Sequence, residues 1–191
     1  MYETFREHVL KYVSADEEAV ASAYKYFQVK KFRKKENLLT EGQICRNNYF
    51  IISGCVRKFF INQKGTEQTT DFAIENWWMT DIGAFMSQGI TDINIQAVEP
   101  TTVLLIDLQN QQQLFREHPI MESYFRQVYQ RAYAAAENRI RYLYEYSREE
   151  LYLQFYRQFP AFTKRVPQYL LASFLGFTPE YLSEIKRKLE S

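Results

Sequence analysis

The period of the hydrophobic residues changes once along the chain, near Leu108, and that change limits the possible folds more than any other feature. From about Val29 to Leu108, β-branched and aromatic residues gather in short runs separated by turn signals. Gly54 breaks FIISGCVRKFFIN in the middle, and Lys64-Gly65 sits between two extended runs as a hairpin turn does. Glu41-Gly42 marks a further turn. NIQAVEPTTVLLIDL reads as two strands bent at Glu99-Pro100, because proline cannot donate to a ladder. Such spacing predicts a β-sandwich or barrel. After Leu108 the strand pattern stops and the chain reads as helical to its end. Residues 1–27 also read as helical: Phe5 and Val9 are four apart, and Ser14 with Glu17 offers a capping-box start for DEEAVASAYKYF.

Composition narrows the function. Fifteen Phe and 15 Tyr supply ample core material, which excludes intrinsic disorder. No apolar stretch approaches the roughly 20 residues of a membrane-spanning helix, and MYETFREHVLK lacks the apolar run of a signal peptide. With only Cys45 and Cys55 there is no disulfide framework, so a cytoplasmic protein without membrane association is expected. His8 and His118 are the only histidines, and no CxxC, HExxH, GxGxxG, GxxxxGK[ST] or GxSxG occurs. Buried structural cysteine is the default for both thiols; no enzymatic activity, metal or cofactor is expected. The net charge of +1 says little. The basic run KKFRKK at 30–35 reads as a solvated strand edge, where lysines block unwanted strand pairing.

Two helical segments carry more information. Residues 119–145 lack glycine and carry proline only at their first position. Ile120, Met121, Phe125, Val128, Ala132, Ala135, Ala136, Ile140 and Leu143 recur there at three- and four-residue steps. A helix of that length spans about 40 Å. It suits dimerisation through Phe125, Val128, Ala132, Ala135 and Ala136, although packing on the chain's own strands explains the same stripe. The last 26 residues, VPQYLLASFLGFTPEYLSEIKRKLES, are punctuated twice. Pro167 is placed to open one helix and Gly176 to end it; Thr178 then caps a second helix with Pro179 in its first turn. Ala172 is small where two helices cross, and Leu171, Leu175, Leu182 and Ile185 make their shared core. That is the spacing of a helix-turn-helix, which a chance helical hairpin also mimics.

Together these segments resemble the Crp/Fnr family of transcription regulators. The resemblance covers essentially the whole chain. It is carried by ENLLTEGQICRNNYFIISGCVRKFFINQKGTEQTTDFAIENWW, similar to a cyclic-nucleotide-binding-type jelly roll, and by RVPQYLLASFLGFTPEYLSEIKRKL. It implies an α+β fold: an N-terminal β jelly roll with flanking helices (1–116), a long dimerisation helix (117–146) and a C-terminal all-α helix-turn-helix domain (147–191). The implied protein is a homodimer that binds double-stranded DNA and a small-molecule effector and meets RNA polymerase.

The departures are as informative. Cyclic-AMP-binding members carry Gly-Glu and then Arg-Ser around the cyclic phosphate; here Thr80-Asp81 and Thr91-Asp92 fall on or near those places. A carboxylate repels a phosphate, so an effector other than cyclic AMP is expected, and Asp81 and Asp92 also read as plain turn residues. Pro179 and Glu184 stand where familiar members place arginines that read guanine, while Glu180 matches the family's glutamate. Tyr181, Ser183, Glu184 and Arg187 share the outward face with Glu180. Affinity for phosphates is expected from Lys164, Arg165, Gln168, Lys186, Arg187 and Lys188, with Thr178 at the helix start. The chain stops two residues after Leu189, which leaves no wing hairpin after the second helix. Glu184 and that ending also fit a ligand- or protein-binding module whose DNA reading has decayed.

Overall fold

The computed structural model describes the backbone of residues 1–190; Ser191 and the side chains of Leu189 and Glu190, with the chain ending weighed above, lie outside the described residues. Two helices open the chain, α1 (Tyr2–Leu10) and α2 (Glu17–Tyr24). The expected Ser14/Glu17 capping box does not form. Asp16 is the N-cap instead, its Oδ1 accepting from Ala19 N–H at 2.7 Å. The Glu17 carboxylate turns back to α1, where Arg6 Nε donates at 2.6 Å and the Tyr2 hydroxyl at 3.0 Å. A partner on the neighbouring helix thus outcompetes the local backbone.

The strand-rich part runs β1 (Gln28–Phe32), β2 (Asn37–Leu39), β3 (Asn47–Ser53), β4 (Val56–Ile61), β5 (Glu67–Ala73), β6 (Trp78–Met79), a short helix α3 (Ile82–Ser87), β7 (Asn94–Ala97) and β8 (Thr101–Asp107). They form two four-stranded sheets, ordered β1-β8-β3-β6 and β2-β7-β4-β5. Within them β8 pairs antiparallel with β1 and β3, and β7 with β2 and β4. β1 is an edge strand and carries Lys30 and Lys31 of the basic run, while Arg33, Lys34 and Lys35 follow it in the turn before β2. Both turn glycines, Gly42 and Gly65, have positive φ.

Strands β3 and β8 read as nearly continuous apolar runs because both of their faces are buried. Tyr49, Ile51 and Val103 point into the roll, among Phe32, Leu39, Val56, Met79, Phe85 and Ile95. Phe50, Leu104 and Ile106 point the other way, into a second core with Phe5, Val9, Val20, Leu114, Met121, Tyr124 and Phe125. Each large side chain so buried contributes about 1.5–3 kcal/mol. That second core holds a polar chain: Trp78 Nε1 donates to the Tyr124 hydroxyl at 2.9 Å, which in turn lies 2.7 Å from His8 Nδ1. Burial pushes His8 down to about 4, helped by Lys11 and Arg131.

The helical part runs α4 (Leu108–Glu117), α5 (Pro119–Glu145), α6 (Arg148–Gln158), α7 (Pro160–Arg165), α8 (Gln168–Leu175) and α9 (Pro179–Glu190). Asp107 caps α4, and a Ser147/Glu150 capping box opens α6. α5 has the bounds that its proline and its glycine-free run predict. Two compact units are distinguished. One holds Met1–Phe60 and Asp71–Arg131; the other holds the hairpin tip Ile61–Thr70 and the chain from Ala132 onward.

One expected interface residue is corrected. Phe125 is 1% exposed, its ring 4.8 Å from Trp78 and 5.3 Å from Phe115, so it belongs to the core of the first unit and is closed to a partner. Val128 is half-buried against the same cluster. Ala132, Ala135 and Ala136 are exposed. A helical period marks an apolar stripe but does not say which surface covers it.

Candidate functional site

Two places carry the expected functional residues. The first is in the roll. Thr80 Oγ1 donates to Asn47 O at 2.9 Å and lies 3.4 Å from Cys45 Sγ. Asp81 is the N-cap of α3: its Oδ1 accepts from Ala84 N–H at 3.3 Å, and its Oδ2 accepts from Thr91 Oγ1 at 2.7 Å. The structure thus joins Asp81 to Thr91 and sets Thr80 beside them, while Asp92 is exposed on its own. The Asp81–Thr91 bond fastens α3 to the segment before β7. From α3, Phe85 enters the roll fully buried, beside Ile51 and Ile95. A shallow groove of about 410 Å³ is lined by Leu38, Leu39, Gln43, Ile44, Arg46, Asn47 and Tyr49, and by none of the four expected residues. Cys45 and Cys55 are buried free thiols, and burial pushes the Cys45 thiol up, which disfavours the thiolate. Among the described residues no group of three His, Cys, Asp or Glu side chains is placed to hold a metal, and no helix is long and apolar enough to cross a membrane.

The second place is the pair α8 and α9. Pro167 precedes α8 instead of opening it, since its ψ of 136° is extended. Gly176 ends α8 in the left-handed conformation, φ 76° and ψ 28°, and Phe177 N–H then donates to Ala172 O at 2.8 Å. Thr178 Oγ1 accepts from Tyr181 N–H at 3.3 Å and so caps α9, whose first residue is Pro179. Leu171, Ala172, Leu175, Leu182 and Ile185 are buried together, joined by Phe177 and by Tyr152 from α6. This is the shared core that the residue spacing predicts.

With that core fixed, helical geometry places Glu180, Ser183, Glu184 and Arg187 on one exposed face of α9. Tyr181 flanks this face half-buried, its ring 5.6 Å from that of Phe177. Lys186 falls on a different side and is half-buried. Ser183 Oγ donates to Pro179 O at 2.9 Å, inside its own helix. Lys188 is shared by two carboxylates, Glu184 at 3.3 Å and Glu149 of α6 at 3.4 Å, which raises its pKa. Gln168 stands exposed at the start of α8, and Lys164 and Arg165 at the end of α7. Two arginines outside the expected set also touch this pair. Arg139 donates to Phe174 O at 2.9 Å and stacks 3.9 Å over its ring, and Arg148 lies 5.7 Å from the Tyr181 ring. Neither stands out in the sequence, because a stacked arginine leaves no periodic signal.

Residues 29–118, the span from β1 to α4, match the family model of the cyclic nucleotide-binding domain. The chain as a whole is similar to solved structures of intact regulators. A CooA mutant from Carboxydothermus hydrogenoformans aligns at 21% identity over 96% of this chain and 83% of its own, with a TM-score of 0.71. The fold is that of Crp/Fnr-type regulators. CLP of Xanthomonas campestris shares this fold at 15% identity, over 92% of both chains, with a TM-score of 0.70. The Catabolite Activator Protein of Thermus thermophilus shares it at 21% identity, over 94% of this chain and 85% of its own, with a TM-score of 0.59. No curated protein matches the chain. The matched span covers the strands from β1 to β8 with α3 and α4, while α1, α2 and the helices from α5 onward lie outside it.

Proposed function

We propose that the chain is a homodimeric, DNA-binding transcription regulator of the Crp/Fnr type that responds to an effector other than cyclic AMP. The observation that carries this reading is the α8–turn–α9 pair: a buried core at helix-turn-helix spacing, with Arg187 on an outward face between Glu180, Ser183 and Glu184. A helix-turn-helix sets its second helix in the major groove, where Glu180 would accept from a cytosine amino group and Arg187 would meet guanine or phosphate. Gln168, Lys164 and Arg165 would add phosphate contacts. In this reading residues 1–116 sense, 117–146 dimerise and 147–191 bind DNA, with no enzymatic step. RNA polymerase is the protein partner that such a role brings in.

Dimerisation is supported by the bare half of α5. Ala132, Ala136, Ile140 and Leu143 follow at three- and four-residue steps, all exposed, with Tyr144 89% exposed alongside. An uncovered apolar stripe of this length fits a second copy of the same helix, and the small alanines allow close approach. The case against cyclic AMP rests on charge and on use: Asp81 brings a carboxylate, already bonded to Thr91 and to the start of α3. Titration of a labelled pool of duplexes by fluorescence anisotropy at two salt concentrations tests the reading. Selective, salt-dependent binding that weakens in Arg187→Glu supports it. A second reading, a binding module with decayed DNA recognition, is favoured by the grip of Glu184 and Glu149 on Lys188; equal, weak binding to every duplex would select it.

A further inference from the structure

The tip of the β4–β5 hairpin, Ile61–Thr70, belongs to the same compact unit as α8 and α9, and the bonds that tie it there converge on one residue. β5 is the edge strand of its sheet, so its outward N–H and C=O groups need partners. Ser173 of α8 serves both: its Oγ accepts from Thr69 N–H at 2.9 Å and donates to Glu67 O at 2.9 Å. One hydroxyl thus stands in for a neighbouring strand. The exchange is reciprocal: Ser173 O, near the end of α8, accepts from Gly176 N–H at 3.2 Å and has a second lone pair to offer. Gln68 Nε2 donates to it. Thr69 is 1% exposed.

The position of Ser173 on α8 gives this contact a consequence. Leu170, Leu171, Ala172 and Leu175 are the buried residues of α8. Tyr169 and Ser173, four apart, look outward. The first helix of a helix-turn-helix crosses the DNA backbone with its outward face. The hairpin occupies part of that face through the bonds to Ser173. We propose that the β4–β5 hairpin tip is a clasp on α8, pinned by Ser173, that restrains DNA engagement until it opens. The inference rests on the DNA-binding reading given above for its functional half, and on geometry alone for the clasp itself. Ser173 is a positioning residue here: it acts through the placement of α8. A signal that moves β4 or β5 then reaches α8 directly, through a hydroxyl more than 100 residues away in sequence.

The test uses the full chain with Ser173→Ala, which removes the pin, and Ser173→Thr, which keeps the hydroxyl. Amide hydrogen exchange is read at Thr69, and DNA affinity on the duplex pool by anisotropy. Ser173→Ala is expected to speed exchange of the Thr69 amide about tenfold or more, leaving the β3 and β8 amides unchanged, and to tighten DNA binding by about threefold or more. Ser173→Thr is expected to restore both values towards the native ones. Unchanged exchange at Thr69 would overturn the clasp. Faster exchange with equal or weaker DNA binding would overturn its role as a restraint. If no form binds any duplex, the DNA-binding reading fails and the restraint with it, while the exchange result still decides whether the clasp exists.

Discussion

Gly54 joins β3 to β4 hard against the backbone at the start of β8, which makes Gly54→Ala a worked test of how the sheets are held. Its φ is +104°, and a Cβ added there would sit 2.4 Å from Thr101 Oγ1, 2.7 Å from Thr101 Cα and 2.8 Å from Pro100 O. Two of those three atoms are backbone, at and just before the start of β8, the strand paired on both sides with β1 and β3. The clash is therefore relieved only by moving a central strand. Positive φ costs an alanine about 1–2 kcal/mol, and forcing extra volume into a packed site costs about 1–3 kcal/mol more. The expected loss is about 2–5 kcal/mol. Gly42 supplies the control, since its φ is +84° but a Cβ there meets nothing within 4 Å. Gly42→Ala then carries the conformational cost alone, about 1–2 kcal/mol. Urea unfolding followed by the fluorescence of Trp77 and Trp78, both in the first unit, reads the two variants against the native chain. Equal midpoints for the two alanines would refute the steric argument. A Gly54→Ala protein as stable as the native one would refute both parts.

Four further outcomes follow from contacts described above. His8 is held neutral, its value lowered from 6.5 to about 4, so its contribution is complete above pH 6.5 and is lost as the pH falls from there towards 4. The loss is about 3 kcal/mol; urea midpoints at pH 7 and 4.5 should show it in the native chain and not in His8→Gln, and equal pH slopes would contradict it. Phe125→Ala should cost about 3–5 kcal/mol, because it empties a core site, and thermal unfolding reads it. Ala132→Glu should leave folding intact and shift a dimer to monomer by light scattering, since it buries an unpaired charge only at the subunit contact. An unchanged mass would place the interface elsewhere. Calorimetry with cyclic AMP should show no saturable heat, and saturable binding would overturn the reading of Asp81.

The parts legible in the sequence are those fixed by local chemistry. Gly176, Thr178 and Pro179 mark the turn between α8 and α9 because each suits one backbone conformation, and Ala172, Leu182 and Ile185 follow from that register. Pro119 and an uninterrupted helical period likewise give α5 its ends. What stayed hidden depends on partners distant in sequence. Ser14 and Asp16 are both good caps, and the choice falls to Asp16 once Arg6 and Tyr2 take the Glu17 carboxylate. The stripe on α5 is continuous, yet Phe125 faces Trp78 while Ala132 faces solvent, a division set by where the roll ends. The same holds for the candidate sites. Nothing in Asp81 or Thr91 alone announces a bond between them. Nothing in Ser173 announces a strand edge more than 100 residues earlier.

The central claim is that α9 reads DNA through its outward face. Capture of genomic DNA fragments on the purified protein, followed by sequencing, tests it most directly, with Arg187→Glu run beside the native chain at two salt concentrations. The account predicts one enriched palindromic motif, its half-sites about 10 base pairs apart centre to centre or a multiple of that, lost in the variant. No enrichment, or an enriched set indifferent to Arg187, would contradict it.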